Sequence, residues 1–429
     1  MISRYTILFL IVCYSGLLVM PGCSGSSDTT EIRFWVFGAE GEVVEQLLPD
    51  FERENPEIRV RVQKIPWTAA HEKLLTAYAS NSLPDICQLG NTWIPEFEML
   101  NALEELHSRV DTSGIISVED YFEGIWNTNV IDDGLYGIPW YVDTRVLFYR
   151  KDILRDAGFS EPPRTWGELY QLSKSIKERT GTEERYAILM PTNEWVPPVL
   201  FGLQGGSSLL KNNATYGDFS GDEFKNAFEF YSGFYHEGLA PVGITQVTNI
   251  YQGLTEGFFA MYISGPWNIG EFRRRLPEYM QDNWGTAPLP GPSEGYPGVS
   301  IAGGSSLVMF NQSRKKDKAW KLIEFFSRQD IQIRFNEISG NLPPRLSVWE
   351  ISGIKDDIHI RAFYEQMPYV VPLPKVPEWE QIALKVQQYA EIVSMGRMTV
   401  PQALAALDRE VDRILDKRRW ILSRADQKE

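Results

Sequence analysis

A strand-like segment with an acid and a base in its middle constrains the fold of this chain more than any other feature. Val142 and the run at 146–148 have the β-branched and aromatic character of a buried strand, and Asp143, Thr144 and Arg145 interrupt them. A carboxylate inside a buried strand costs free energy unless it is paired. The residues alone therefore predict that Asp143 is either a satisfied core carboxylate or part of a hinge ion pair with Arg145.

The residues that follow predict two helices. The first covers roughly 151–157 and ends at Gly158, which fits the C′ position. The two prolines at 162–163 require an extended connection. Thr165 and Glu168 then have the T-x-x-E spacing of a capping box, which predicts the start of the second helix.

Strand and helix patterns alternate along the rest of the chain. Residues 32–37 are an almost continuous apolar run, as expected for a strand buried on both faces. Helical spacing from 43 to 51 and strand-like alternation from 58 to 62 complete a predicted right-handed βαβ unit, and 85–89 predict a further parallel strand. Later segments extend the same α/β pattern, with strands predicted at 186–190 and 258–263 and helices at 222–236, 319–328 and 402–418.

The first residues predict export. Arg4 precedes an apolar run at 5–20, and the run ends at Pro21-Gly22-Cys23. This ending resembles a bacterial lipobox, although Met20 and Pro21 depart from its usual residues. Residues 1–22 are therefore predicted to be a signal peptide and 23–30 a linker anchored to lipid through Cys23; an uncleaved membrane anchor is the alternative.

Composition excludes several classes of function. The formal net charge of −15 argues against nucleic acid as a partner and against adsorption of the folded body to anionic lipid. The four histidines lack metal-ligand spacing, and no nucleotide-binding motif is present. The Gly-Pro-Ser-Glu-Gly sequence at 291–295 matches a nucleophile elbow only formally, because Pro and Gly flank it where a strand and a helix are needed. We therefore predict no catalytic residue, no metal and no cofactor.

Three segments resemble the family 1 extracellular solute-binding proteins of sugar ABC importers, a group that includes lipoproteins similar to maltose-binding protein. They are residues 138–169, the NPEIRV sequence at 55–60 and the AMYISGPW sequence at 260–267. The resemblance implies a two-lobed periplasmic-binding-protein fold of type II, in which each lobe is a mainly parallel sheet flanked by helices and three segments form the hinge. It implies a first lobe of 31–141 plus 299–340 and a second lobe of 142–298 plus 341–429.

The resemblance also implies a ligand site at strand ends and lobe crossings. A sugar ring stacks on an aromatic face, and carboxylates and amides bind its hydroxyls, which suits a chain with 13 Trp. Trp267, in the Gly265-Pro266-Trp267 turn, is expected to be a stacking platform, and Asp143 to point into the cleft. The implied contacts are Trp35, Glu40, Asn91, Thr92, Trp93, Trp140, Asp143, Trp195, Gly265, Trp267, Gly304, Ser305, Arg345 and Trp379.

The implied function is capture without catalysis. The chain is expected to be a monomeric cell-envelope lipoprotein, periplasmic or on the outer face of the cytoplasmic membrane. It would bind a mono- or oligosaccharide and deliver it to the transmembrane subunits of an ABC permease. Two alternatives remain: a secreted glycosidase that uses Asp143 and Glu194 as its two carboxylates, and the same fold binding a solute that is not a sugar.

Overall fold

The computed structural model describes residues 29–180, 185–243 and 249–425. The predicted signal peptide, Cys23 and the linker up to residue 28 lie outside the described residues. Within the described ranges, no helix combines the length and the apolar character that crossing a bilayer requires.

Short strands and helices alternate through most of the chain. The strands of the described residues are β1 (Thr30–Phe37), β2 (Ile58–Ile65), β3 (Ile86–Gly90), β4 (Val130–Ile131), β5 (Gly134–Leu135), β6 (Ile138–Asp143), β7 (Val146–Arg150), β8 (Tyr186–Leu189), β9 (Leu210–Lys211), β10 (Tyr216–Gly217), β11 (Phe259–Ser264), β12 (Trp284–Ala287), β13 (Ser300–Ile301), β14 (Gly303–Met309) and β15 (Val370–Val371).

The α-helices surround these strands. They are α1 (Glu40–Glu54), α2 (Trp67–Ala79), α3 (Ile94–Met99), α4 (His107–Asp111), α5 (Glu123–Trp126), α6 (Lys151–Asp156), α7 (Trp166–Thr180), α8 (Val196–Gln204), α9 (Asp222–His236), α10 (Ile250–Glu256), α11 (Trp267–Arg275), α12 (Lys316–Ser327), α13 (Gln329–Ser339), α14 (Leu346–Ser352), α15 (Arg361–Gln366), α16 (Trp379–Ser394), α17 (Val400–Ile414) and α18 (Asp416–Ala425).

Two sheets form the centres of two lobes. The first has the order β2-β1-β3-β14-β6, and β14 runs antiparallel to both of its neighbours. The second has the order β12-β7-β11-β8, and β7 runs antiparallel to both of its neighbours. In each sheet the remaining strands share one direction. The predicted two-lobed fold with mainly parallel sheets is therefore confirmed.

Side-chain alternation explains why the first sheet is buried on both faces. Along β1, Ile32, Phe34 and Val36 pack in one apolar cluster with the inner side of α1, whereas Trp35 and Phe37 belong to a second cluster with α2 and α3. Successive side chains of a strand point to opposite faces, so a strand covered by helices on both sides must be apolar throughout. The predicted buried strand at 32–37 is confirmed within β1.

The chain passes between the lobes in three places. The first crossing is Thr144-Arg145, between β6 of the first sheet and β7 of the second. The second lies between β12 and β14, where β13 pairs with β15. The third, residues 340–345, joins α13 to α14, and its Leu342 pairs with Val142 of β6. The predicted lobe boundaries at 141/142, 298/299 and 340/341 remain a prediction, close to these crossings.

The local signals around the first crossing are confirmed. Helix α6 ends at Asp156, and Gly158 has a φ of +92°. The Thr165 Oγ1 accepts from the Glu168 backbone N–H at 3.2 Å, and a Glu168 carboxylate oxygen accepts from the Thr165 N–H at 3.2 Å, so the capping box opens α7.

Candidate ligand-binding site

A cleft of about 430 Å³ lies between the two lobes. It faces the carboxyl ends of β1, β2, β3, β6, β8 and β11, the edge at which open α/β sheets generally bind ligands. Its volume falls within the usual range of small-molecule sites. Its walls are formed by Glu40, Trp67, Gly90, Asn91, Thr92, Trp93, Tyr141, Val142, Asp143, Arg145, Trp195, Val196, Pro266, Trp267, Ile301, Gly303, Gly304, Ser305, Asn341 and Leu373.

An aromatic group forms the wall of the first lobe. Trp93 follows β3 in a short 3-10 turn, and Trp67 follows β2 at the start of α2. Their ring centroids are 5.7 Å apart, and Phe37 lies 5.1 Å from Trp67 and 5.9 Å from Trp93. His71 packs 5.0 Å from the Trp93 ring and shares a 2.6 Å hydrogen bond with Glu96, which raises the pKa of the histidine. Packing on several sides holds both indoles in position beside the cleft.

Polar side chains line the base of the same wall. Asn91 is 5% exposed, and its Oδ1 accepts a 2.9 Å hydrogen bond from Ser306 Oγ. Its Nδ2 has no hydrogen-bond partner within the described ranges. Because this nitrogen is shielded by protein, the observed role of the Asn91 amide is its hydrogen bond to Ser306 at the base of the wall.

The floor of the cleft depends on two glycines at the start of β14. A Cβ added to Gly303 would lie 2.3 Å from the Asp143 carbonyl oxygen, and one added to Gly304 would lie 2.2 Å from the Tyr141 carbonyl oxygen. Gly304 also has a φ of +132°, which side chains rarely tolerate. Only glycine at these positions lets β14 approach β6 so closely.

A buried hydrogen-bond network supports that floor. Tyr141 Oη accepts hydrogen bonds from Gln88 Nε2 at 2.9 Å and from Ser305 Oγ at 3.1 Å. Burial raises the pKa of the Tyr141 hydroxyl well above its usual value, so it stays protonated. Beside it, the Asn341 amide donates to the Glu40 carboxylate at 3.0 Å, joining the third crossing to the start of α1.

Asp143 and Arg145 stand where the chain first crosses between the lobes. The Arg145 Nε lies 3.7 Å from Asp143 Oδ1, which is an ion-pair contact but too long for a hydrogen bond. Burial raises the pKa of the Asp143 carboxyl, and the Arg145 charge partly opposes this rise. The predicted hinge ion pair is present, and both of its members also line the cleft.

The second lobe contributes indoles from two strand ends. Trp195 follows β8 and packs edge-to-face against Trp379, with ring centroids 5.8 Å apart. Trp267 follows β11, and its ring folds back over Gly265, where an added Cβ would lie 1.9 Å from the indole. Position 265 must therefore be glycine for the indole to take this position. Glu194 lies beside this wall, and burial raises the pKa of its carboxyl.

Most of the predicted contacts meet in this cleft. The predicted residues that line it are Glu40, Asn91, Thr92, Trp93, Asp143, Trp195, Trp267, Gly304 and Ser305. Gly265 supports the cleft from behind by making room for Trp267. Contact with a ligand remains a prediction for all of them.

Three predicted tryptophans lie in the packed core, and we withdraw them as candidate contacts. Trp140 is 1% exposed and packs 4.6 Å from Phe335, on the face of the first sheet that α1 covers. Trp35 is 8% exposed and packs on the opposite face of the same sheet. Trp379 is 1% exposed at the start of α16, where it supports Trp195 from behind.

Arg345 is also withdrawn. Its side chain is 8% exposed, and its Nε donates a 2.7 Å hydrogen bond to Asp120. It donates a further hydrogen bond to the Ser327 carbonyl. Asp120 accepts from the Ser347 N–H as well, at 2.8 Å. Arg345 therefore fixes the third crossing to the first lobe instead of reaching the cleft.

Four prominent wall residues are absent from the contacts predicted from the sequence. Trp67, Tyr141 and Asn341 were not among the predicted contacts, and Arg145 was considered only as a partner for Asp143. Trp67 could have been found, because it directly follows Pro66 after the β2 strand and thus lies at the carboxyl edge of the sheet. No local pattern marks Asn341.

The two-lobed fold and the cleft at its strand ends define a bacterial extracellular solute-binding protein. The model of that family matches residues 38–333, and the chain belongs to it. The chain is similar to the sugar-binding protein MalE from the phytopathogen Xanthomonas citri, with 50% identity and a TM-score of 0.88 over 92% of this chain and 99% of that one.

Two further relatives share lower identity over most of their length. The galactooligosaccharide-binding protein of Bacillus subtilis is 26% identical over 386 residues, which cover 88% of each chain. The diacetylchitobiose-binding protein of Streptomyces coelicolor is 26% identical over 388 residues, which cover 86% of this chain and 88% of that one. The family predicted from the sequence is therefore confirmed.

Proposed function

We propose that this protein captures a mono- or oligosaccharide in the cleft between its lobes and delivers it unchanged to an ABC importer. The observation that carries the proposal is the composition of the cleft. Indoles from both lobes line it together with a carboxylate, an amide and a guanidinium.

This combination of groups suits a pyranose ring. Such a ring has C–H groups on its faces and hydroxyls around its edge, so flat aromatic surfaces and charged or amide hydrogen-bonding groups complement different parts of it. Trp67, Trp93 and Trp195 provide aromatic surface, while Asn91 and Asp143 provide hydrogen-bonding atoms. The names of the Xanthomonas, Bacillus and Streptomyces relatives support a carbohydrate ligand.

The same proposal includes the setting of the protein. The N-terminal sequence supports export and lipidation at Cys23, which would anchor a monomeric body beside a permease in the cell envelope. The first lobe would comprise 31–141 and 299–340, and the second 142–298 and 341–429. Rotation at the three crossings would open and close the cleft.

Capture without hydrolysis is part of the proposal, because the relatives carry names of binding proteins. A glycosidase would instead need two carboxylates placed on either side of a glycosidic bond. Incubation with oligosaccharides separates the two functions. We expect no new reducing ends after prolonged incubation, and sustained release of reducing sugar would identify an enzyme.

A thermal-shift screen tests the binding proposal. The panel is glucose, maltose, maltotriose, trehalose, galactobiose, arabinobiose and diacetylchitobiose. A ligand that binds only the native state stabilises the folded protein and so raises its melting temperature. At a ligand concentration one hundred times the dissociation constant, the added free energy of unfolding is about 2.7 kcal/mol. We expect a shift with at least one of these saccharides; a panel without any shift would contradict a saccharide ligand.

A further inference from the structure

His71 lies behind the aromatic wall of the first lobe, and the proposed function gives it no role. It is on α2, and the centroid of its ring lies 5.0 Å from that of Trp93, which lines the cleft. Its Nε2 lies 2.6 Å from a Glu96 carboxylate oxygen, so the imidazole is held by an indole and by a carboxylate. A change in the charge of His71 would therefore act directly on a residue of the cleft wall.

Three carboxylates act on the His71 imidazole, and each lies on a different helix. Glu72 is its neighbour on α2, Glu96 is on α3, and Glu380 is at the start of α16. The hydrogen bond to Glu96 is the main cause that raises the pKa of His71, burial opposes the rise, and the charges of the three carboxylates add to it. The cluster therefore favours the protonated ring.

Glu380 is the member of this cluster that comes from the second lobe. Helix α16 packs in the core of that lobe, whereas α2 and α3 pack in the first. The Glu380 carboxylate accepts a 2.6 Å hydrogen bond from Thr92 Oγ1, in the short turn that also carries Trp93. The negative charge of Glu380 is therefore held beside the His71–Trp93 pair only while the lobes are together. Since a nearby negative charge favours a protonated imidazole, closure of the lobes favours protonation of His71.

Thermodynamic linkage makes this arrangement a coupling between protons and ligand. Where closure strengthens proton binding at His71, protonation of His71 must favour closure by the same factor. A ligand bound between closed lobes then draws a proton onto the imidazole. The sign follows from the raised pKa: binding is tightest where His71 is protonated and weakens as the pH rises through the pKa of the closed arrangement.

We propose that His71 is a positioning residue that couples closure of the cleft to the uptake of a proton. The protonated imidazole lies between Glu96 and the Trp93 ring, and Glu380 of the second lobe joins it when the lobes close. His71 is not part of the cleft wall, so it acts on the ligand through Trp93 and Glu380. The inference rests on the proposed function and deepens it, because it makes saccharide capture tighter in mildly acidic medium.

Titration calorimetry counts the proton. The probe is whichever of the seven panel saccharides binds the wild-type protein most tightly, titrated at several pH values from 6 to 9 in pairs of buffers with different ionisation enthalpies. The difference in heat between the two buffers gives the number of protons taken up with each ligand. We expect the wild type to take up a fraction of one proton, and its dissociation constant to be at least about twofold higher at pH 9 than at pH 6.

Two variants assign the proton to this cluster. His71→Gln keeps a hydrogen-bond donor for Glu96 but does not titrate, so its proton uptake should be smaller than that of the wild type at every pH at which the wild type takes up protons. Other groups that titrate on binding contribute equally to both proteins, so the difference isolates His71. Glu380→Gln keeps an acceptor for Thr92 but lacks the charge, and its uptake should also fall.

His107→Gln is the matched control. The His107 Nδ1 lies 2.7 Å from a Glu105 carboxylate oxygen, a similar pair in the same lobe but outside the cleft wall. This variant should take up as many protons as the wild type, with the same dependence of the dissociation constant on pH. Melting temperatures of all variants identify loss of folding.

Nuclear magnetic resonance gives a second measurement that needs only the wild type. The His71 imidazole is titrated in the free protein and with a saturating concentration of the same saccharide. We expect the midpoint of the titration to be higher with the saccharide, because closure brings Glu380 to the cluster.

Each result against the inference has its own meaning. Saccharide binding with equal His71 midpoints in the free and bound protein, or with equal proton uptake by the wild type and a folded His71→Gln variant, would overturn the coupling and leave the proposed function intact. Full proton uptake by Glu380→Gln would overturn the role of the second lobe. Absence of wild-type binding to every panel saccharide would contradict the proposed function itself, and this inference would fall with it.

Discussion

The Glu194 carboxyl is placed where its charge is costly to the folded protein. Burial is the main cause that raises its pKa, and the neighbouring Asp143 adds to the rise, while Arg145 opposes it. A carboxyl whose pKa is higher in the folded state binds its proton more tightly there than in the unfolded chain. Its ionisation therefore lowers stability as the pH rises through the folded-state pKa.

Glu194→Gln is therefore predicted to raise the thermal stability of the protein by an amount that depends on pH. At pH 7.5 the variant should melt at a higher temperature than the wild type, because a neutral amide replaces a buried charge. The gain should shrink as the pH falls and vanish below the ordinary carboxyl pKa of 4.5, where both states of the wild type are protonated. Melting curves from pH 7.5 to pH 4 check this.

The control is Glu294→Gln, on an exposed loop, which should show no such trend. An equal or lower melting temperature for Glu194→Gln at pH 7.5 would contradict the account.

The second prediction for a single residue concerns Trp93 in the aromatic wall of the first lobe. Because its indole is held between Phe37, Trp67 and His71, it should offer a rigid surface to the ligand. Trp93→Ala should weaken saccharide binding at least tenfold, or about 1.4 kcal/mol, as expected for a central aromatic anchor. Calorimetry measures the change. Trp420→Ala, which removes an indole that is 55% exposed on α18, should bind normally; equal affinities for the two variants would exclude Trp93 from the site.

Single residues also show which contacts the sequence could predict. Trp93, Trp195 and Trp267 follow strand ends, and all three line the cleft. Trp35 and Trp140 lie inside strands buried on both faces, where alternation does not reveal which side chain is near a ligand. The hydrogen-bond partner of Arg345 is Asp120, 225 positions away, and no local sequence pattern predicts a contact between residues so far apart.

Secondary-structure elements were more predictable than individual contacts. The helix predicted at 222–236 coincides with α9, and the strand predicted at 258–263 nearly coincides with β11. Helical spacing and apolar runs are local properties, so they can be read without tertiary information. The interruption at Asp143 to Arg145 proved to divide β6 from β7, two strands of different sheets. The antiparallel direction of β7 and β14 depends on the crossings, which local patterns do not encode.

The capping box of α7 gives a prediction at the scale of the element. Thr165→Ala removes the side-chain acceptor for the Glu168 N–H and should destabilise the protein by about 1 kcal/mol. Denaturant unfolding followed by circular dichroism measures this. Thr76→Ala, at an exposed interior position of α2, is the matched control and should be neutral or slightly stabilising, because alanine has the higher helix propensity. A Thr165→Ala variant as stable as wild type would show that the box contributes nothing measurable.

At the scale of the whole molecule, the two lobes meet through side chains as well as through the chain crossings. Thr92 Oγ1 of the first lobe donates a 2.6 Å hydrogen bond to Glu380 at the start of α16 in the second. Lys375 donates to the Val130 carbonyl at 2.8 Å. Such contacts can form only when the lobes are near each other, so they favour the closed arrangement.

Removing the Thr92 contact should therefore weaken ligand binding. A hydrogen bond to a charged group contributes about 1.5–3 kcal/mol, so Thr92→Val should raise the dissociation constant about tenfold or more. Calorimetry with the preferred saccharide tests this. Thr255→Val removes a local hydrogen bond within α10 and should leave binding unchanged. Equal affinities for the two variants would show that the Thr92 contact does not favour closure.

The central claim is that the two lobes close on a saccharide, and small-angle X-ray scattering tests it most directly. Scattering curves of the wild-type protein would be recorded alone and with a saturating concentration of the panel saccharide that binds it best. The account predicts a smaller radius of gyration and a shorter maximum dimension with the saccharide, because rotation at the three crossings brings the lobes together. Identical curves at confirmed saturation would contradict capture by closure of the cleft.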